Sequence, residues 1–330
     1  MTWFDTLTGT REQCCQAHLS IEGEWLVSRE TGKRWRAGTL STPSLDQLRT
    51  KAHAIQPAAG QRLTISQIVS DVQSLHADPS NAGSLFQVAS QFNLLEMAGP
   101  EVTPEQGVGI YEYDLTQGPA CAVAAGAGTI FRNYFVPLEN QIGQTENTQI
   151  DCIADLGYAL GNGSGELWEI RNGYLMANDS GLEKISSLLH QSNEEERDEL
   201  RRLLRIGLQM DTEVTLPMCG HLVTQAYCSA LPVAYNHHNK ELWESFARLV
   251  LEASYEATLY AGLINREKTG NSVVFLTLIG GGVFGNKTSW IVESLERACR
   301  VVCHHPLDVR IVSHHTPNPA INNLVNRLSQ

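Results

Sequence analysis

Basic residues are scarce in this chain of 330 residues: 24 lysines and arginines stand against 36 aspartates and glutamates, a formal charge of −12. Wrapping a phosphate backbone takes a basic face, so nucleic acid is not an expected partner. Long apolar runs are missing as well. No uninterrupted stretch approaches the roughly 20 residues that span a bilayer, and Met1-Thr2-Trp3-Phe4-Asp5 has neither the basic start nor the apolar run of a secretion signal. A folded cytoplasmic protein without membrane contact is expected. The eight cysteines make no paired C-x-x-C framework and no secreted-scaffold pattern, so reduced thiols are expected, with Cys14-Cys15 and Cys299/Cys303 as packing residues. The pairs His237-His238, His304-His305 and His314-His315 lack the acid-histidine spacing of a closed metal site, and neighbours on a strand point to opposite faces. No metal and no cofactor is called for. Internal repeats, low-complexity tracts and long linkers are also absent.

An apolar fraction of 42% is enough for a real core. Residues 1–80 read as an accessory α+β extension. Glu24–Ser28 and Arg34–Gly38 flank Thr31-Gly32-Lys33 as a hairpin, a helix starts at Pro43-Ser44, and Ile65, Ile68, Val69, Val72 and Leu75 recur at helical intervals. From about residue 81 the pattern turns to short apolar strands, glycine-bearing turns and helices, the signature of a layered α/β domain. Its parts are a strand at Leu85–Ala89, a small-residue helix opened by Gln117-Gly118-Pro119-Ala120, a strand within 222–234 and a long helix at 240–265. Insertions fall around 140–210: a hairpin about Arg171-Asn172-Gly173 and a charged helix from Asn193 to Met210. The last unit is the clearest, a strand at 272–279, a glycine turn, a helix at 289–303 and a strand at 309–313. A helix joining neighbouring strands implies a parallel pair, with the turn at the ligand-bearing carboxyl edge.

That turn, Gly280-Gly281-Gly282-Val283-Phe284-Gly285-Asn286, lacks the Cβ atoms that would hold a ligand off the main chain. Converging N–H groups and a following helix suit a diphosphate without a lysine. Asn286 is a candidate helix cap, with Thr288 and Ser289 as competitors. Tight strand-helix packing also uses glycine runs, but a turn between an apolar strand and a helix favours phosphate. A P-loop would need lysine directly after the second glycine, where Asn286 intervenes, and the dinucleotide fingerprint fails in spacing.

The glycine turn with Phe284 resembles the second ligand loop of the macrodomain superfamily, and Phe86–Asn93 resembles the family's early strand ending in an asparagine. The block Thr103-Pro104-Glu105-Gln106-Gly107 through Tyr111-Glu112-Tyr113-Asp114-Leu115-Thr116-Gln117-Gly118-Pro119-Ala120 is similar to a divergent group of that family. The group includes a Legionella effector hydrolase that removes ADP-ribose from an arginine of ubiquitin. The resemblance covers about residues 84–315, with Thr116-Gln117-Gly118-Pro119 replacing the usual first glycine cluster. It implies a three-layer α/β/α sandwich with a mixed central sheet and an ADP-ribose site. Gln91, Asn93, Thr116, Gln117 and Gly118 would approach the distal ribose, and residues 280–286 would hold diphosphate and ribose. The tryptophans are expected mostly to pack, with Trp290, just after the turn, as the one that could also border the ligand. The expected activity is hydrolysis of ADP-ribose from a modified protein, through an arginine linkage, with ubiquitin as a candidate carrier. The alternatives are a non-catalytic reader of ADP-ribose and a magnesium-dependent P-loop-type enzyme.

Breaking the N-glycosidic bond at C1″ passes through an oxocarbenium-like state that a carboxylate stabilises. Asp114 is the first candidate, with Glu105 and Glu112 on the same loop. Acidic side chains there can also clamp a guanidinium. A helix-start role competes at Asp114 and still more at Glu105, and a turn-forming role at Asn93.

Overall fold

The computed structural model describes residues 1–55 and 62–329. Seven strands form one mixed sheet: β1 (Thr39–Ser41), β2 (Thr64–Val69), β3 (Leu85–Ala89), β4 (Gly207–Glu213), β5 (Leu222–Cys228), β6 (Val273–Leu276) and β7 (Asp308–Ser313), in the order β1-β4-β5-β3-β6-β7-β2. Strands β5, β3, β6, β7 and β2 run parallel, and β4 is antiparallel to both its neighbours. The centre of the sheet is covered on both faces, which explains the near-continuous apolar reading of β3. Adjacent β3 side chains show the two faces: Phe86 stacks on His76 of the Val72–Ala77 helix at 3.7 Å, and Gln87 donates to Thr258 at 3.0 Å.

Thr258 belongs to the long helix α2 (Lys240–Thr269), which packs against α3 (Thr288–Val301) and the helices at Leu45–Ala52, Asp179–Gln191 and Glu194–Leu203. The opposite layer contains Val72–Ala77, α1 (Gln117–Ala124) and Gly126–Ile130. The architecture is therefore the three-layer α/β/α sandwich with a mixed central sheet that the resemblance implies.

Two expectations fail in instructive places. Residues 64–69 are a strand, not the start of a helix: β-branched Thr64, Ile65, Ile68 and Val69 pair along β7 from Asp308 to Ser313, and pairing overrides a spacing that also fits a helix. With β1 at the other edge, the segment read as an accessory region supplies both edge strands of the central sheet. The charged helix ends at Leu203, and Gly207 opens β4, where a Cβ would meet Leu94 at 2.6 Å. The hairpins at Trp25–Arg36 and Trp168–Ala177 form as read, and the Leu45–Ala52 helix starts in a capping box between Ser44 and Gln47. No helix among the described residues is long and apolar enough to cross a membrane.

Candidate active site

Strands β5, β3 and β6 are adjacent and parallel, and their carboxyl ends open into a cleft of about 220 Å³. Cys228 and Ala89 mark the strand ends on its floor, with Thr277, Leu278 and Ile279 leading into the glycine turn. Grooves at such strand ends are the usual ligand sites of open α/β sheets.

The glycines of the turn have different duties. Gly280 and Gly285 have φ of +74° and +73°, and a Cβ on them would come within 2.5 Å of Ala230 and 2.8 Å of Ala234. Both are required by the turn itself. Gly282 has open space on its Cβ side and lines the cleft. The N–H groups of Gly281, Gly285 and Asn286 are spent on Leu278, Gly282 and Gly280 carbonyls, whereas those of Gly282, Val283 and Phe284 have no partner among the described residues. Phe284 is fixed by packing against Tyr174 and Tyr235, with ring centroids 5.4 and 5.6 Å away. All three rings line the cleft.

Asn286 does not cap α3. Its amide donates to Leu231 O at 2.8 Å and Gly280 O at 3.3 Å, pinning the turn from behind, and Lys287 holds the N-cap position of α3 without a side-chain cap bond. Gly281, Gly285 and Asn286 therefore shape the turn, and Gly280, Gly282, Val283 and Phe284 line the cleft. Trp290 is buried in the helix layer and does not border it.

On the other wall stand Gln91, Asp114, Thr116, Gln117, Gly118 and Pro119. Gln117 works as an extra strand residue, accepting from Ala89 N–H at 2.9 Å and donating to Gln87 O at 2.8 Å, and α1 lies so close to β3 that only glycine fits at 118. Gln91 bonds Met97 through both ends of its amide. Asp114 is half-buried, accepts the Thr116 N–H at 2.9 Å in an Asx turn, and lines the cleft.

Three expected site residues lie elsewhere. Glu105 is exposed and accepts the Glu146 N–H. Glu112 accepts the Trp3 N–H at 2.7 Å, away from the cleft. Asn93 is fully buried and shapes the turn after β3, accepting from Leu95 N–H at 3.1 Å and donating to Gln149 at 2.9 Å. In each case a nearby backbone group or amide takes the side chain that the spacing suggested for the ligand.

The residue that sequence reasoning missed is Glu96. The turn holds Leu94 at φ +65°, a costly conformation for a branched side chain. The Leu94 carbonyl accepts from Arg132 Nε at 3.0 Å, and Leu94 N–H donates to Gln91 O. The turn brings Glu96 to the cleft wall at 2% exposure, with no hydrogen-bond partner on either carboxyl oxygen among the described residues. Burial pushes its carboxyl up to about 8, against the pull of the Arg132 guanidinium 3.6 Å away. Arg132 lies over the Tyr227 ring and starts a directional chain, donating to Tyr227, whose hydroxyl donates to Gln225, whose amide donates to His76 Nε2. The cleft thus holds a buried carboxyl that keeps its proton near neutrality and a second, more open carboxyl on an adjoining loop. Such a pair is suited to dividing acid and base work.

No protein-family model matches the sequence, and no match is found among curated proteins. Among solved structures, the chain is similar to the poly(ADP-ribose) glycohydrolase of Thermomonospora curvata at 11% identity and TM-score 0.47, covering 98% of each chain. It is also similar to the poly(ADP-ribose) glycohydrolase of Deinococcus radiodurans in complex with ADP-ribose, at 9% identity and TM-score 0.48, covering 88% of this chain and 95% of that one.

Proposed function

We propose that this protein binds ADP-ribose in the cleft and hydrolyses it from arginine side chains of a modified protein. The observation that carries the reading is the meeting, in one cleft at the carboxyl ends of parallel strands, of a glycine turn with unspent N–H groups and the carboxyls Glu96 and Asp114. Gly282, Val283 and Phe284 N–H groups would receive the diphosphate, which asks for no lysine and no metal. The distal ribose would then lie toward Asp114 and Glu96.

In the reaction the C1″–N bond breaks and its electron pair stays with the arginine nitrogen, to which Glu96 gives its proton. Water adds to C1″ and passes a proton to Asp114, whose charge also stabilises the oxocarbenium-like state. Proton exchange with solvent resets both carboxyls. Support for an arginine linkage comes from the resemblance of the 103–120 block. Ubiquitin as carrier rests on that resemblance alone.

Calorimetry with ADP-ribose, and with ATP and magnesium, tests the binding step. The reading expects saturable ADP-ribose binding without magnesium. A preference for magnesium-ATP, or no binding of ADP-ribose, would overturn it, and tight binding with no turnover of modified protein would leave a reader.

A further inference from the structure

Glu12 sits 96 residues before Val108 in the loop that carries Asp114, yet its carboxylate is bound inside that loop. Oε1 accepts the Val108 N–H at 2.6 Å and the Tyr134 hydroxyl at 2.7 Å, and Oε2 accepts the Gly109 N–H at 3.0 Å. A Cβ at Gly107 or Gly109 would come within 2.7 and 2.6 Å of the same carboxylate, so the loop is shaped to receive it. The clasp is reciprocal. Glu112 accepts the Trp3 N–H at 2.7 Å, and the Trp3 indole donates to Val108 O at 2.9 Å. Phe4, Cys15 and Leu19 share a small separate core with Val108, Tyr111, Leu95 and Met97.

The clasped segment is the short 3₁₀ turn Gly109–Tyr113, and it leads to both carboxyls of the cleft. Asp114 follows as its C-terminal cap, with its N–H on Tyr111 O at 3.1 Å. The Tyr111 hydroxyl accepts the Glu96 N–H at 3.0 Å. We infer that Glu12 is a positioning residue, which through this turn sets Asp114 and Glu96 relative to each other. The inference rests on the reading of the cleft as a hydrolase site. It gives residues 1–15 a role in turnover without any contact with the ligand, because displacements near 1 Å are enough to cost large factors in rate.

The test compares wild type, Glu12→Gln and Glu12→Ala in the full chain. It measures kcat and KM on arginine-ADP-ribosylated protein, Kd for ADP-ribose by calorimetry, and amide hydrogen exchange across residues 108–114. The expected result for Glu12→Ala is faster exchange in that segment and a kcat lower by about tenfold or more, with Kd within twofold. Glu12→Gln, which keeps one acceptor oxygen, should fall between and serves if the alanine variant does not fold. Unchanged kcat despite faster exchange would overturn the inference, as would an equal loss in Kd and kcat. A wild type that releases no ADP-ribose would overturn the hydrolase reading instead, and exchange would still report whether Glu12 orders the loop.

Discussion

Replacing Glu96 by glutamine should make the protein's stability less dependent on pH, in a direction that follows from the burial of this carboxyl. In the unfolded chain it titrates near 4.5, and in the fold burial holds the proton up to about 8. Between those values the native state binds a proton that the unfolded state has lost, so this group's contribution to stability falls as pH rises through the interval. At about 1.4 kcal/mol per pH unit the loss reaches roughly 5 kcal/mol by pH 8, with the opposing pull of Arg132 already contained in it. Glutamine keeps the shape and an acceptor oxygen for Arg132 but cannot ionise. Urea unfolding of wild type and Glu96→Gln at pH 5, 7 and 9 should therefore show the variant gaining several kcal/mol relative to wild type between the first and the last. In wild type kcat/KM should fall along an alkaline limb near pH 8, where Glu96 loses the proton it donates. A stability difference that stays constant from pH 5 to pH 9 would refute the reasoning, since Glu96 would then titrate alike in both states.

Gly282→Val should leave stability within about 0.5 kcal/mol, because its Cβ side is open, while weakening ADP-ribose binding at least about tenfold by blocking the main-chain approach. Calorimetry and thermal melts separate the two effects. Gly280→Ala should do the reverse, costing more than about 1 kcal/mol through its positive φ and the contact with Ala230. Asp114→Ala should lower kcat far more than it raises Kd for ADP-ribose, and equal losses would remove it from the chemistry. His76 is fully buried with its ring pushed down to about 4 from 6.5. Stability due to its neutral form is complete above pH 6.5 and lost as pH falls toward 4, by roughly 3 kcal/mol. In His76→Gln that acid-side slope should vanish from the urea midpoints.

The glycine turn was legible because glycine, unlike other residues, declares a backbone requirement in its identity. Gly280 and Gly285 show that part of this signal concerned the turn's own geometry, and Gly282 carries the part that faces the cleft. Asp114 was legible from its place just ahead of a helix start. Glu105, Glu112 and Asn93 have the right residue types nearby in sequence, and only the tertiary partners Glu146, Trp3 and Gln149 show where they are spent. Glu96 was illegible for the opposite reason. Its position depends on the Leu94 turn and on Arg132, 36 residues further on, and its sole local mark is a charge inside the run Phe92–Ala98 that is otherwise nearly apolar. The edge strand β2 was hidden by a spacing that fits both periods, and only pairing with β7, over 240 residues away, decides between them.

The most direct measurement is the release of free ADP-ribose from an arginine-ADP-ribosylated protein, followed by chromatography, for wild type beside Asp114→Ala and Glu96→Gln. The account predicts release by wild type without added metal, and loss of release in both variants while each still binds ADP-ribose. Binding by wild type with the modification left intact, or release undiminished in both variants, would contradict it.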